Sequence, residues 1–261
     1  MLVEMLGTGD AAGCPKIGCG CAACRDALRG GRSRRARFSV LLRTGEGVVL
    51  IDTSPDLREQ LLRARIPKVG AVLWTHAHYD HYGGLPELFR VQRRVRCYGT
   101  REMRDLVEST FSFMPLRFTT LEPFEEIELF GLRITPVPVH HPPLREPCGF
   151  VVIENDQKLV ITGDTSIHIP QESLELMAEP KLLIADAIHP TLNFHKHMNA
   201  TEALELAGML GAERVLLTHL SHLYPPHEHA IKRYPLAHDG MCVALEATRE
   251  ESVQSQLDSY S

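Results

Sequence analysis

No stretch of this 261-residue chain is apolar for long enough to cross a bilayer. Its first ten residues, MLVEMLGTGD, lack a basic run followed by an apolar core, so no secretory leader is expected and cytoplasmic residence is the default. Basic residues are not in excess. Twenty-eight Lys and Arg stand against 33 Asp and Glu, a net charge of −5 that speaks against broad nucleic-acid binding. There is no internal repeat and no long Gly/Ser- or Pro-rich linker, which predicts one domain over residues 1–247 and a polar, frayed tail over 248–261. Disulfides are not expected either. In a reducing compartment the seven cysteines stay thiols, and a tight cluster of them reads as a metal site.

What is present begins with short apolar, β-branched runs: LVEML, FSVLL, VVLID, AVLWT, RVRCY, LRITPVPV, GFVVIE, KLVITGD, KLLIADA, RVLLTH and MCVALE. Each reads as a strand. Helical patterns lie between some of them. SPDLREQLLRARI opens on a capping Ser54 and Pro55, and NATEALELAGMLGA opens on Asn199 and closes near a glycine. GTREMRDLVEST and PQESLELMAE are helical too. Many strands with interspersed helices predict two sheets covered by helices, a layered α/β sandwich.

Chemistry concentrates in the histidines, of which there are fourteen. The strand AVLWT runs into HAHYDHYGG. In an extended chain alternate residues share a face, so His76, His78 and Asp80 project together, and His81 follows where a helix begins. Two ligand sets thus lie within six residues. A binuclear site needs more donors, and each candidate sits just past a predicted strand: His140 or His141, Asp164 and His219. Near the N-terminus, GCGCAAC supplies Cys19, Cys21 and Cys24. Three thiolates need a fourth ligand for tetrahedral zinc, and His222 in THLSH is the best candidate.

Together these motifs resemble the metallo-β-lactamase superfamily over nearly the whole chain. The resemblance implies an αββα sandwich of two mixed sheets flanked by helices, with a binuclear site at one edge. His76, His78 and His141 would hold one metal; Asp80, His81 and His219 would hold the other; Asp164 would bridge them. Asp52 in LIDTS would orient a ligand histidine. GCPKIGCGCAAC, THAHYDH, VHH, TGDT, HKHMN and THLSH are similar to the PhnP-like phosphodiesterases, which add a structural zinc on three cysteines and one histidine. That likeness implies hydrolysis of small cyclic ribose or nucleotide phosphodiesters by a metal-bridged hydroxide. Asp80 and His197 would be the catalytic residues, with His197 acting as general acid or stabilising the charged phosphate and His195 its competitor. A homodimer is also implied.

Two divalent ions, two carboxylates and a hydroxide leave a charge of about +1, suited to an anionic phosphate. The nitrogen and oxygen donors accept Zn, Mn or Fe, whereas the thiolate site calls for Zn. Three rivals share the fold. A tRNA 3′-processing nuclease needs a gripping arm, and only the basic loop LRGGRSRRAR is available for one. An ester, lactone or thioester hydrolase has the same scaffold. So does an accessory protein like the one of coenzyme PQQ synthesis, which the full ligand set argues against.

Overall fold

The computed structural model describes residues 1–92 and 94–246. The tail expected at 248–261 lies outside the described residues. Among the described residues thirteen strands form two sheets. The first takes β1 (Leu2–Gly7), β2 (Ser39–Arg43), β3 (Val48–Ile51), β4 (Ala71–Leu73), β5 (Arg96–Gly99), β6 (Arg117–Thr120) and β13 (Cys242–Ala244), in the order β13-β1-β2-β3-β4-β5-β6. The second takes β7 (Ile127–Leu129), β8 (Leu132–Pro138), β9 (Cys148–Glu154), β10 (Gln157–Ile161), β11 (Leu182–Asp186) and β12 (Val215–Thr218), in the order β12-β11-β10-β9-β8-β7.

Strand periodicity explains the layering. In β2 and β3, Val40, Leu42, Val49 and Ile51 face the opposite sheet and meet Ile134, Phe150, Val152, Leu159 and Ile184. The intervening Leu41 and Leu50 face outward, under Leu57 of α2 (Leu57–Ala64), Leu85 and Leu88 of α4 (Leu85–Val91), and Met103 and Val107 of α5 (Arg101–Thr110). On the far side Val160, Leu183 and Leu217 pack under Met177 of α6 (Gln171–Met177) and Ala203, Leu206 and Leu210 of α7 (Ala200–Leu210). The result is the expected αββα sandwich. Its strands are apolar on both faces because each sheet lies between the other sheet and a helical layer.

Local differences from expectation have local causes. Helix α2 starts at Leu57, not at Ser54: the Ser54 hydroxyl bonds Gln60 and accepts from the Asp56 N–H, forming a turn ahead of the helix. Asn199 caps α7 as expected, through a reciprocal box with Glu202, and Gly211 closes it in the left-handed conformation. Strands β6 and β7 escape the apolar pattern because β6 alternates exposed and half-buried residues and β7 has three. Three short helices also lie outside the sequence reading: α1 (Ala22–Leu28) inside the cysteine segment, α3 (Tyr79–Tyr82) and α8 (His227–Ala230). The segment Leu28–Arg37 is not a free basic loop. Arg35 is 2% exposed against His227, and Arg37 pairs with Asp56 at 2.9 Å.

Candidate metal centre and active site

Strand direction gathers the site. Strands β3 and β4 are parallel, and so are β10, β11 and β12; β8 and β10 each run antiparallel to β9 and so share a direction. Asp52, His76, His141, Asp164, Asp186 and His219 therefore all emerge at the C-terminal ends of their strands. The extended geometry expected of His76, His78 and Asp80 holds only as far as His78. The chain then enters the one-turn helix α3 (Tyr79–Tyr82), which carries Asp80 and His81 and turns them toward the second ligand set.

Two four-residue groups result, His76, His78, His141 and Asp164, and Asp80, His81, Asp164 and His219. In each the donor atoms lie within 4.8 Å of one another, and Asp164 belongs to both. The His141 Nε2 is 3.0 Å and the His76 Nε2 3.1 Å from the His78 Nδ1. Burial pushes all three imidazoles down, His141 to about 4, so they are neutral with lone pairs available. The other group is charged differently. Burial pulls His219 down, but Asp164, Asp80 and Asp186 outweigh it and raise it to about 9; carboxylates raise His81 in the same way. Asp80 and Asp164 are correspondingly held well below the usual carboxylate range, burial notwithstanding.

These residues fit divalent cations. The His81 Nδ1–H donates to Asp52 at 2.8 Å, which leaves its buried Nε2 with no hydrogen-bond partner, 3.3 Å from Asp80 and 3.4 Å from Asp164. Positive charge is called for between this nitrogen and the two carboxylates: a proton on Nε2 supplies it when no metal is there, as the raised His81 pKa reflects, and a divalent cation would take that proton's place. Asp52 is fixed for its task. It accepts from the Thr75 N–H and hydroxyl at 2.8 Å each, and its own backbone is left-handed at φ 61°. The Lys196 carbonyl accepts from the His141 Nδ1 at 2.8 Å and so aims Nε2 inward.

Burial separates the competing histidines. His141 is 1% exposed and in the cluster, whereas the neighbouring His140 is exposed and bonds Ser166. His197 is buried with its ring stacked on His219 at 5.0 Å; His195 is exposed. One residue escaped the sequence reading, Asp186 at the end of KLLIAD. Fully buried, it accepts from the His197 Nδ1 at 2.8 Å and the Thr165 N–H at 3.1 Å. Its other oxygen is 3.6 Å from the His219 Nδ1. The available signal was an acid closing a buried strand, the same pattern as Asp52 and Asp164.

Cys19, Cys21, Cys24 and His222 form a separate cluster. The His222 Nδ1 lies 3.4 Å from the Cys19 sulfur and 3.6 Å from that of Cys21. Helix α1 begins at this point because Cys21 caps it, accepting from the Cys24 N–H. Burial raises the Cys21 thiol, but hydrogen bonds from His222 and the Cys24 N–H outweigh it and bring it to about 6, while burial pushes Cys24 up to about 12. Three sulfurs and one imidazole nitrogen are the donor set of a closed zinc site.

The model of the beta-lactamase superfamily domain matches residues 48–220, which hold every member of the two histidine–aspartate groups. The chain belongs to that family. It is 32% identical to a diphosphatase of the PhnP family whose crystal structure superposes with a TM-score of 0.84, covering 94% of this chain and 98% of the other. Zinc-bound PqqB from Methylobacterium extorquens shares the fold at a TM-score of 0.79 and 21% identity, with 94% of this chain and all of that one covered. The octanoyltransferase of Porphyromonas gingivalis is 30% identical over 247 residues, 88% of this chain and 48% of that protein. The chain spans about half the length of the curated relatives it matches. No helix among the described residues is long and apolar enough to cross a membrane.

Proposed function

We propose that this chain is a metal-dependent hydrolase of small phosphodiesters, cyclic ribose or nucleotide phosphates among them. The observation that carries this reading is the pair of ligand groups sharing Asp164, with the Asp186–His197 pair packed against them. His76, His78 and His141 would hold one divalent ion, Zn or Mn, and Asp80, His81 and His219 the second, with Asp164 common to both. Such ions, when bound, neutralise phosphoryl charge and lower the pKa of water. Cys19, Cys21, Cys24 and His222 would hold a third ion, a structural zinc that pins the N-terminal loop to the segment after β12.

The protein's own side chains do the rest. Asp52 and the Lys196 carbonyl each hold the Nδ1 proton of a ligand histidine and fix the tautomer that binds through Nε2. Asp186 holds the His197 Nδ1 proton, so the proton that His197 exchanges is on Nε2. Protonated, His197 is stabilised by the buried carboxylate behind it and donates to the departing alkoxide. The PhnP-family relative, described as a diphosphatase, supports chemistry at phosphorus.

The test is kcat/KM for the metal-loaded protein across a cyclic nucleotide phosphodiester, a linear diester, a diphosphate diester, a lactone, an octanoyl thioester and a precursor tRNA, at one salt concentration. The diesters should lead and the phosphomonoester products should inhibit. A preference for the lactone or thioester overturns the phosphodiester reading and leaves the ligand assignment standing; a preference for the precursor tRNA favours the nuclease.

A further inference from the structure

At the edge of the first sheet away from the metal centre, four cations surround one open cavity of about 400 Å³. Parallel strands β4, β5 and β6 begin here, with Lys68 three residues ahead of β4, Arg94 two ahead of β5, and Arg96 and Arg117 as the first residues of β5 and β6. Glu46 is the one acid in the lining. All four cationic side chains are exposed, and among the described residues none has a carboxylate partner or a side-chain hydrogen bond. Several arginines elsewhere are paired, Arg37 with Asp56, Arg43 with Glu4, Arg104 with Glu108 and Arg133 with Glu126, while others such as Arg65 and Arg101 have no such partner among the described residues; what sets these four cations apart is that they share one cavity.

The cavity is also built. Arg96 and Arg117 are directly paired residues of adjacent strands, a like-charge juxtaposition that destabilises a sheet. Arg96 is held with its guanidinium 4.8 Å from the centre of the Phe130 ring. Phe130 is left-handed, at φ 53°, and its ring lies where a Cβ on Gly47 or Gly70 would overlap it, so both positions need glycine. The Gln92 amide is locked onto the backbone of Val69 in both directions and closes one wall. A repulsive pair on a fixed platform, in a chain of net charge −5, is explained by an anion that offsets it.

We infer that this cavity binds an oligophosphate, the phosphate chain of a nucleoside triphosphate or of inorganic triphosphate, at a site separate from the metal centre. Three guanidinium forks and an ammonium match several phosphoryl groups, and the volume suits a small ligand. A polynucleotide is disfavoured. The cations converge on one cavity, and the one aromatic ring in the lining is covered by Arg96 and the glycines, which leaves no platform for a base.

Calorimetric titration of the full-length, metal-loaded protein with inorganic triphosphate tests this, with ATP as a second arm. Arg94→Ala/Arg117→Glu should bind triphosphate at least tenfold more weakly yet hydrolyse a diester as the parent does. Asp164→Ala, or His197→Ala should that variant fail to fold, should retain the binding. Triphosphate at a hundredfold excess over the parent Kd should raise the parent Tm by about 5 °C and that of the double variant by no more than about half as much. The Tm of the unliganded double variant should not fall, since the carboxylate introduced at position 117 would face Arg96 across the strands. Equal affinity for ATP and triphosphate assigns recognition to the phosphate chain alone; tighter ATP binding names the nucleotide as its source. Unchanged binding by the double variant, or loss in Asp164→Ala and His197→Ala together, overturns the inference. So does RNA that binds more tightly than triphosphate with affinity rising with length.

Discussion

Replacing Asp186 by Asn removes a charge and keeps the shape. In the parent one carboxylate oxygen accepts from both the His197 Nδ1 and the Thr165 N–H, in a position with no solvent contact. The charge matters most when His197 is an imidazolium, the form that donates a proton to the leaving group. A hydrogen bond to a charged partner contributes about 1.5–3 kcal/mol, so its loss should slow turnover by about 10- to 150-fold. The loss should depend on the leaving group. An alkoxide, as in a cyclic ribose phosphate, needs that proton; a nitrophenolate leaves without one. The assay is therefore kcat for a 2′,3′-cyclic nucleotide and for bis(p-nitrophenyl) phosphate, with metal content measured on the same samples. The expected result is a large fall for the first, a small one for the second, and unchanged metal. Equal falls with both substrates would refute the role given to His197. A parallel loss of metal would mean that Asp186 serves His219, 3.6 Å away, instead.

Asp164→Ala should abolish hydrolysis and lower metal occupancy, because both groups lose a donor; atomic absorption and a diester assay read the two effects. Cys21→Ser should release one zinc and lower the Tm without emptying the other site, and full retention of metal and Tm would sink the structural-zinc assignment. In the metal-loaded native protein a thiol reagent in mildly alkaline buffer should find Cys242 quickly, since it is exposed, and miss Cys97 and Cys148, which burial pushes upward, Cys97 to about 12. Chelation should then add Cys19 and Cys21. Asn199→Ala should cost about 1 kcal/mol through loss of the α7 cap and lower the Tm by about 2–4 °C in a melting curve.

Much of this protein is written locally. Strands such as VVLID and KLLIADA are legible because a sheet buried on both faces demands continuous apolar residues, and the candidate ligands are legible because H-x-H-x-D-H and C-x-C-x-x-C put donors within a few residues of one another. The short strands β6 and β7 were illegible because they are partly solvated and carry no such run. Tertiary structure alone decided what depends on distant contacts. His140 and His141 are the same residue type one position apart, and only packing shows that His141 points inward while the Lys196 carbonyl holds its Nδ1. His195 and His197 are alternatives in sequence; in the fold His197 is buried against His219 and bonded to Asp186, while His195 is exposed. Asp186 looks like any acid at the end of a strand until His197, eleven residues on, folds back onto it. The convergence of Lys68, Arg94, Arg96 and Arg117 follows from strand order, which brings β4, β5 and β6 side by side; no local pattern encodes that neighbourhood. Sequence spacing specifies which atoms a short segment can present, and the sheet topology specifies which of those segments meet.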